Sequence, residues 1–306
     1  MKAFIINHIL PLAAWRGGRL SGLLFFLFLS PIAICAQELT VASYNIRYNN
    51  RDDSINGNGW HRRCPGICRQ ILWERPDIIG MQEVLHPQLL DLAKGLAGYA
   101  WIGVGRDDGK KKGEYAAIFY RTDRAELLDN GNFWLNETPD RPALGWDAAC
   151  IRICTWGHFR DRLTGKDFYH FNLHMDHVGV KARREAAKLV MSRITQMTDG
   201  GKKLAVLTGD FNVPQTDELY KLFTQSGVLK DCYATTAMRF AENGTYNGFD
   251  YHSWTDERID HILVTPATTV NAYAILTDGR WQKDMNGRMS RRNLSDHYPV
   301  FARINF

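Results

Sequence analysis

The chain has 306 residues, of which 45% are hydrophobic, 12% aromatic and 23% charged, with only 10 prolines. That balance excludes a disordered, collagen-like or polytopic membrane chain and leaves a globular protein long enough to bury a sizeable core. Residues 1–36 hold Lys2, Arg16 and Arg19 and no acid, so the formal charge of +5 falls beyond them to 35 basic against 33 acidic side chains, too even to imply nucleic-acid binding by bulk charge.

Arg16 and Arg19 precede an apolar run from Leu20 to Ala36 that ends in small residues. A basic region, an apolar core and a small residue at the cut describe a secretory signal peptide, cleaved near Ala36. The run is short and broken by Pro31, which disfavours an uncleaved anchor, and Ile34 disfavours a lipid anchor at Cys35. The expected product is an exported protein, periplasmic or secreted, that is not integral to a membrane, with residues 37–306 as one domain and no stable protein partner.

Leu39–Arg47 alternates as a strand and carries Ser43, Tyr44 and Asn45 towards its end. After a polar loop at 49–59, His61–Glu74 has a helical pattern whose first turn suits Pro65 and Gly66. Ile78–Gln82 reads as a strand finishing at Glu83, and Pro87–Leu96 as a helix. The loop at 105–114 is glycine- and lysine-rich and reads as a solvent-facing rim; Ala116–Tyr120 and Ile151–Phe159 read as strands. Phe168–His174 is a strand running into Met175-Asp176-His177, followed by a helix over Lys181–Thr195 that bears Arg183. Leu204–Thr208 is a strand entering Gly209-Asp210-Phe211-Asn212, and Asp217–Phe223 is helical. Ile259–Val264 contains Asp260-His261, an arginine-rich rim loop covers 278–293, and Ser295-Asp296-His297 precedes a last strand, Tyr298–Ile304. Such a mixture implies an α/β (α+β) protein, a sheet core covered by helices.

Beyond Cys35 there are five cysteines, an odd number, in two pairs spaced by four and one single. In a strand Cys150 and Cys154 would lie about 13 Å apart, too far for a bridge, and neither pair has the two-residue spacing of a zinc knuckle. Buried free thiols, or one disulfide, are expected.

Polar and acidic residues stand at strand ends six times over: Asn45, Glu83, His174-Met-Asp176-His177, Asp210-Phe-Asn212, Asp260-His261 and Asp296-His297. Singly, each has a plain explanation as a helix cap, a turn former or a satisfied histidine. Together they are hard to read as six turns. Glu83 and Asp296 are hard oxygen ligands for a magnesium-type ion. Histidines beside carboxylates suit acid–base chemistry near neutral pH, and Asn45, Asn212 and His174 supply donors for developing negative charge. No nucleophile elbow or phosphate-cradling glycine loop is present. The residues point to metal-assisted attack of water on a phosphorus or carbonyl centre.

The series Tyr44-Asn45, Gln82-Glu83, His174-x-Asp176, Gly209-Asp210-Phe211-Asn212, Arg258-Ile259-Asp260-His261 and Ser295-Asp296-His297 resembles the endonuclease/exonuclease/phosphatase superfamily, which shares the fold of deoxyribonuclease I. The resemblance spans residues 39–306 and implies a four-layered α/β sandwich of two packed, mainly antiparallel or mixed sheets flanked by helices. It further implies a divalent-metal-dependent phosphoesterase using Mg2+, with Mn2+ as the other ion such ligands accept. Glu83 resembles the main metal carboxylate, with Asn45 beside it and Asp296 near the ion. His297 resembles the catalytic histidine, held by Asp260 and acting as base, with Asp210 as the rival base. Asp210 and Asn212 would position water and phosphate, and His174 would meet a phosphate oxygen or the leaving group. Asp176 and Arg183 are read as substrate contacts, against the plain alternative of a helix-capping aspartate; Arg47 is a phosphate contact or a surface arginine.

The substrate is a phosphoester: nucleic acid, a phospholipid headgroup or a phosphorylated small molecule. A phosphodiesterase is the leading expectation. The alternatives are a phosphomonoesterase on a phosphorylated sugar, inositol or nucleotide, and a non-catalytic binding or toxin-like module of the same fold. A flat basic groove would favour nucleic acid, and an aromatic lip beside a closed pocket a lipid or small substrate. Candidate stackers are Trp60, Trp134, Trp146, Trp254 and Trp281 with Tyr246, Phe249 and Tyr251, and candidate phosphate contacts are the basic rim clusters Lys110, Lys111, Lys112 and Arg288, Arg291, Arg292.

Overall fold

A computed structural model describes residues 38–283 and 287–306; the expected leader over 1–36 lies outside the described residues. In chain order the first half comprises β1 (Leu39–Asn45), α1 (Arg51–Ile55), α2 (Trp60–Glu74), β2 (Ile78–Val84), α3 (His86–Gly95), β3 (Tyr99–Ile102), β4 (Tyr115–Arg121) and β5 (Ala125–Trp134). Then come β6 (Ile153–Asp161), β7 (Asp167–His174), α4 (Val180–Met197), β8 (Leu204–Asp210), α5 (Glu218–Thr224), β9 (Lys230–Asp231) and α6 (Cys232–Thr235). The remainder is β10 (Arg239–Phe240), β11 (Asp260–Val264), β12 (Thr269–Ile275), β13 (Gly279–Lys283), β14 (Met289–Asn293) and β15 (Val300–Asn305).

One sheet has the order β10-β12-β15-β1-β2-β4-β3 and the other β5-β6-β7-β8-β11-β9. Only β1–β2, β10–β12 and β7–β8 pair in parallel; the other neighbours are antiparallel. Leu39, Val41, Ile78 and Val300 of the first sheet meet Phe168, Val206, Ile262 and Val264 of the second in a common core. The opposite faces are covered by helices: Ile67, Ile71, Leu89 and Leu92 of α2 and α3 on one side, Ala187, Val190, Ile194 and Leu219 of α4 and α5 on the other. These are the four layers of the expected sandwich.

Strand alternation explains where the polar strand ends go. Along β8, Val206 faces the other sheet while Ala205 and Leu207 face α4, so Thr208 and Asp210 continue the Val206 row. The same parity carries Val41 to Ser43 and Asn45 in β1, Phe168 to His170, Asn172 and His174 in β7, and Ile262 to Asp260 in β11. Each row is apolar at one end and chemical at the other. Between lies a buried polar seam: Gln82 Nε2 donates to Ser43 Oγ (3.1 Å) and Asn172 Oδ1 (2.7 Å), and Thr208 Oγ1 donates to the same Asn172 oxygen (3.0 Å). Asn172 Nδ2 donates to the Met81 and Ala117 carbonyls of the opposing sheet at 3.0 and 2.9 Å.

Gly80 is what lets the sheets close on this seam, because a Cβ there would lie 2.2 Å from Thr208 Oγ1 and 2.3 Å from Asn172 Oδ1. Gly80→Ala should therefore lower the unfolding free energy by about 2–3 kcal/mol, the overpacking cost plus a lost buried hydrogen bond. Chemical denaturation reads this directly, and a loss below about 0.5 kcal/mol, the range of an ordinary surface change, would show that the sheets can part there.

Several expectations need correction. The first strand stops at Asn45, because Arg47 takes φ 57°. Pro65 lies inside α2, beyond its first turn; Gly66 beside it is required by packing, since a Cβ would sit 2.4 Å from Leu294 Cδ2. The rim loop at 278–293 contains the β13–β14 hairpin, whose cross-strand pairs such as Arg280–Arg292 and Trp281–Arg291 are too polar for an alternating signal. The loop at 49–59 contains α1. All five described cysteines are free, and Cys68 and Cys154 sit in opposite outer layers, so the two pairs form no common metal site. No helix among the described residues is long and apolar enough to cross a membrane.

Candidate active site

The chemical ends of the strand rows open into a cleft of about 610 Å³ lined by Arg47, Glu83, Arg106, Glu114, Arg152, His174, Asp210, Asn212, Asp296 and His297, among others. Glu83 does not arrive by alternation. A bulge interrupts the β2–β4 register between Met81 and Val84, and Glu83 adopts φ 61°. The bulge re-aims a side chain that regular pleating would point at the helices, and such strain in a non-glycine residue persists only where its surroundings hold it. Here they do: Glu83 Oε1 accepts from Asn45 Nδ2 (3.0 Å) and Oε2 from the Tyr48 amide (3.1 Å).

Asn45 Nδ2 also donates to Asp210 Oδ2 (3.0 Å), tying two acids together. Its Oδ1 accepts the Arg47 amide at 3.0 Å. Asn45 therefore bridges two carboxylates through its amide nitrogen, while its oxygen accepts one backbone amide. Asp210 Oδ1 accepts the amide of Asn212, which takes φ 49° just past β8 and whose Nδ2 lies 3.2 Å from His174 Nε2. Asp210 Oδ2 is 3.5 Å from His174 Nε2 and 3.7 Å from His297 Nε2. His297 Nδ1 is 2.8 Å from Asp260 Oδ2, the expected carboxylate–imidazole pair. Asp296 is held by Ser295, whose Oγ lies 3.2 Å from Asp296 Oδ1 and donates to the Asn45 carbonyl (2.7 Å).

Burial raises the carboxyl of Asp210, to about 7, and Asp260 adds to the effect. Burial likewise raises Asp296, and Glu83 reinforces it against His297 and Arg47. Burial pushes His297 down, but Asp260 and Asp210 outweigh it and hold the imidazole protonated. Burial, with Arg152 and Arg106 beside it, keeps His174 neutral. The expected metal site fits a hard divalent cation on the evidence of this crowd of acids: Glu83, Asp210 and Asp296 are all buried oxygen donors. Among the described residues, the cation between Glu83 and Asp296 is the Arg47 guanidinium, 3.9 and 3.4 Å away. Arg47 is thus a site residue and not a plain surface arginine.

Arg63 holds this end of the fold. It is fully buried in α2 and donates to the carbonyls of Ile46, Arg47, Asn58 and Leu294. Arg63→Met should cost about 3 kcal/mol or more, because four carbonyls lose a charged donor. A denaturation midpoint within error of wild type would show that water replaces the guanidinium.

A family model described as Endonuclease/Exonuclease/phosphatase family matches residues 42–297, from within β1 to His297. The chain belongs to the endonuclease/exonuclease/phosphatase family. A solved structure described as a mannosyl-6-phosphatase of Bacteroides thetaiotaomicron is 49% identical with a TM-score of 0.85, covering 88% of this chain and 100% of that one. A family member from Bacteroides vulgatus is 42% identical with a TM-score of 0.78, covering 88% and 99%. A CCR4-Not complex 3'-5'-exoribonuclease subunit of Debaryomyces hansenii is 25% identical over 260 residues, covering 72% of this chain and 30% of that protein. The chain spans less than a third of the length of the curated relatives it matches. Members of the endonuclease/exonuclease/phosphatase family are phosphoric ester hydrolases that depend on a divalent metal.

Two expected substrate contacts are corrected within this family frame. Asp176 and Arg183 do not line the cleft. The Asp176 carboxylate accepts from the amides of Ala149, Cys150, Val178 and Gly179, and its backbone carbonyl accepts from Arg183 Nη1. Burial would raise this carboxyl, but the four amides outweigh it and hold it at about 2. Conversely, Arg106, Glu114 and Arg152 line the cleft and were missed, the first two because they bracket a rim loop and the third because it sits in a strand-like run. Of the candidate stackers Tyr246 lines the cleft, its ring in edge contact with His297 at 5.1 Å, whereas Trp60, Trp134, Trp146, Trp254, Trp281, Phe249, Tyr251 and Lys110, Lys111 and Lys112 do not.

Proposed function

We propose that the protein is an exported, magnesium-dependent phosphomonoesterase acting on a phosphorylated sugar. The sequence leads with a phosphodiesterase and carries a phosphomonoesterase on a phosphorylated sugar as the alternative. The carrying observation is the cleft wall: charged and polar side chains dominate it, and Tyr48, Tyr246, Ile259 and Cys150 are its main apolar groups. Such a wall suits a hydroxyl-rich small substrate better than stacked bases or an acyl chain. The 49%-identical structure described as a mannosyl-6-phosphatase supports the same class.

Glu83 and Asp296, with Asp210 beside them, would hold the cation, which when bound neutralises charge on the phosphoryl oxygens. Asp210, a buried carboxylate whose Oδ2 stands 3.5 and 3.7 Å from His174 and His297, takes the proton of the attacking water. His297, kept cationic by Asp260 and Asp210, donates to a phosphoryl oxygen instead of serving as base. Asn212 orients the phosphate; as the water oxygen bonds to phosphorus the P–O bond to the sugar breaks, and the sugar oxygen leaves as the alcohol on taking a proton from solvent.

Phosphate release from mannose 6-phosphate, compared with hydrolysis of bis(4-nitrophenyl) phosphate, tests the reading with magnesium and with chelator. The monoester should be preferred in kcat/KM by about 100-fold or more, the discrimination of a site built for its substrate's polar groups. Preference for the diester overturns it. Export rests on the basic, apolar and small-residue pattern of residues 1–36; a secreted product starting near residue 37 supports it, and an intact Met1 overturns it.

A further inference from the structure

His174 divides the cleft. Its Nε2 edge faces Asp210 and Asn212 at 3.5 and 3.2 Å, and its Nδ1 edge faces Glu114 Oε2 at 3.9 Å. The reacting phosphoryl group belongs with the carboxylates on the Nε2 side. On the Nδ1 side stand Arg106, Glu114 and Arg152, which also line a small side recess with His174. These residues face whatever the phosphoryl group is attached to.

Arg152 is only 5% exposed, and its guanidinium is fixed at two points. Its Nε lies 3.4 Å from Asp176 Oδ2, and its Nη2 donates to His177 Nδ1 at 3.0 Å. Its Nη1 is buried with no partner, as are Arg106 Nε and His174 Nδ1. Buried polar atoms without a hydrogen bond are costly; on this cleft wall the Arg152 Nη1 donor is the clearest, since Arg106 Nε lies 3.8 Å from Asp107 Oδ1 and His174 Nδ1 is a donor or an acceptor according to its tautomer. The charge balance says which kind of acceptor suits it. Arg106 is paired bidentately with Glu114 at 2.6 and 3.0 Å, and Arg152 with Asp176. Both arginines are already neutralised, so the wall offers donors and a carboxylate acceptor without net positive charge. A second anionic group gains little there, whereas hydroxyls, which both donate and accept, match it.

We propose that Arg152, positioned by Asp176 and His177, forms with the Arg106–Glu114 pair a subsite that selects the leaving group by binding its non-reacting hydroxyls. This rests on the sugar-phosphate reading above and gives Asp176 its place: it positions Arg152 and does not touch substrate. Arg152→Gln removes the unpartnered donor, and Asp176→Asn removes its support.

The test compares kcat/KM for mannose 6-phosphate with that for 4-nitrophenyl phosphate, an ester of the same charge whose leaving group has no hydroxyls besides the one released. The ratio should fall about 100-fold in Arg152→Gln, the size expected when a charged hydrogen bond to a substrate hydroxyl is lost, and in the same direction in Asp176→Asn. Should either variant unfold, Arg152→Lys keeps the charge but cannot reach both Asp176 and His177, and the same fall is expected. A ratio moved by less than about threefold, both esters losing together, overturns the proposal, because a purely structural or phosphoryl-binding role acts on both esters alike. Wild-type turnover of the aryl ester but not the sugar ester overturns the substrate reading and the subsite with it. Retained sugar preference in wild type and in Arg152→Gln overturns the subsite alone.

Discussion

Asp210→Asn should lower kcat for a sugar phosphate by about 10³ or more, within the range of a lost general base with its neighbouring charge, while the metal-free protein melts no lower than wild type. The asparagine keeps an oxygen for the Asn212 amide, now 2.9 Å from Asp210 Oδ1, so the local backbone survives. What it loses is the charged oxygen that Asn45 Nδ2 donates to and that faces His174 and His297. The stability effect follows from burial, which with Asp260 raises the Asp210 carboxyl from 3.8 to about 7. A carboxyl that binds its proton more tightly folded than unfolded destabilises the fold when ionised, fully above the folded pKa and not at all below the unfolded one. The variant should thus gain on wild type at pH 8, and the gap should close by pH 4. Measured melting curves at both pH values and single-turnover rates check the two halves. A kcat above about a tenth of wild type would remove Asp210 from the proton transfer, since even a weakly contributing general base is worth more than that.

Glu83→Gln should abolish the protein's response to magnesium. Wild type is expected to melt higher with saturating cation, because a ligand at 100 times its Kd stabilises the fold by about 2.7 kcal/mol; the variant should show no such rise. Its kcat/KM should fall by about 10³ or more, the cost of losing electrostatic stabilisation at the phosphoryl oxygens. The glutamine keeps the size and the αL backbone of Glu83, and one oxygen can still accept from Asn45 or Tyr48. Loss of fold is therefore not expected, and near-wild-type melting without metal separates a ligand role from a structural one. A magnesium-dependent rise that survives in Glu83→Gln would assign the cation to Asp210 and Asp296 alone.

Much of this site was legible because strands have a period of two. Val41 to Asn45, Phe168 to His174 and Val206 to Asp210 are each an apolar row ending in a polar residue on the same face, and that pattern is local. The Asp260–His297 pair and the four layers came with the family resemblance and are present in the structure. Glu83 was found by its place at a strand end, yet its orientation depends on a bulge against β4. Arg152 was unreadable. It stands in an ordinary-looking stretch, and only the loop from Ala149 and the turn after β7, brought together by Asp176, make it part of the cleft. Asp176 carried the opposite error, because its neighbour His174 faces the cleft while its own carboxylate is taken by backbone amides.

The chain's local order was enough for the element types, for the face on which each strand-end acid stands and for the chemistry that oxygen donors and histidines permit. Those depend on alternation and on side-chain type, which are written in neighbouring residues. Tertiary structure decided which acids share a charge field, that Asn45 bridges Glu83 and Asp210, and that Arg152 rather than Arg183 lines the cleft. Those depend on distances between segments remote in the chain, from Arg152 and Asp176 to Asn45 and Asp210. Burial raises Asp210 towards neutrality, and the carboxylates of Asp260 and Asp210 hold His297 charged against its own burial.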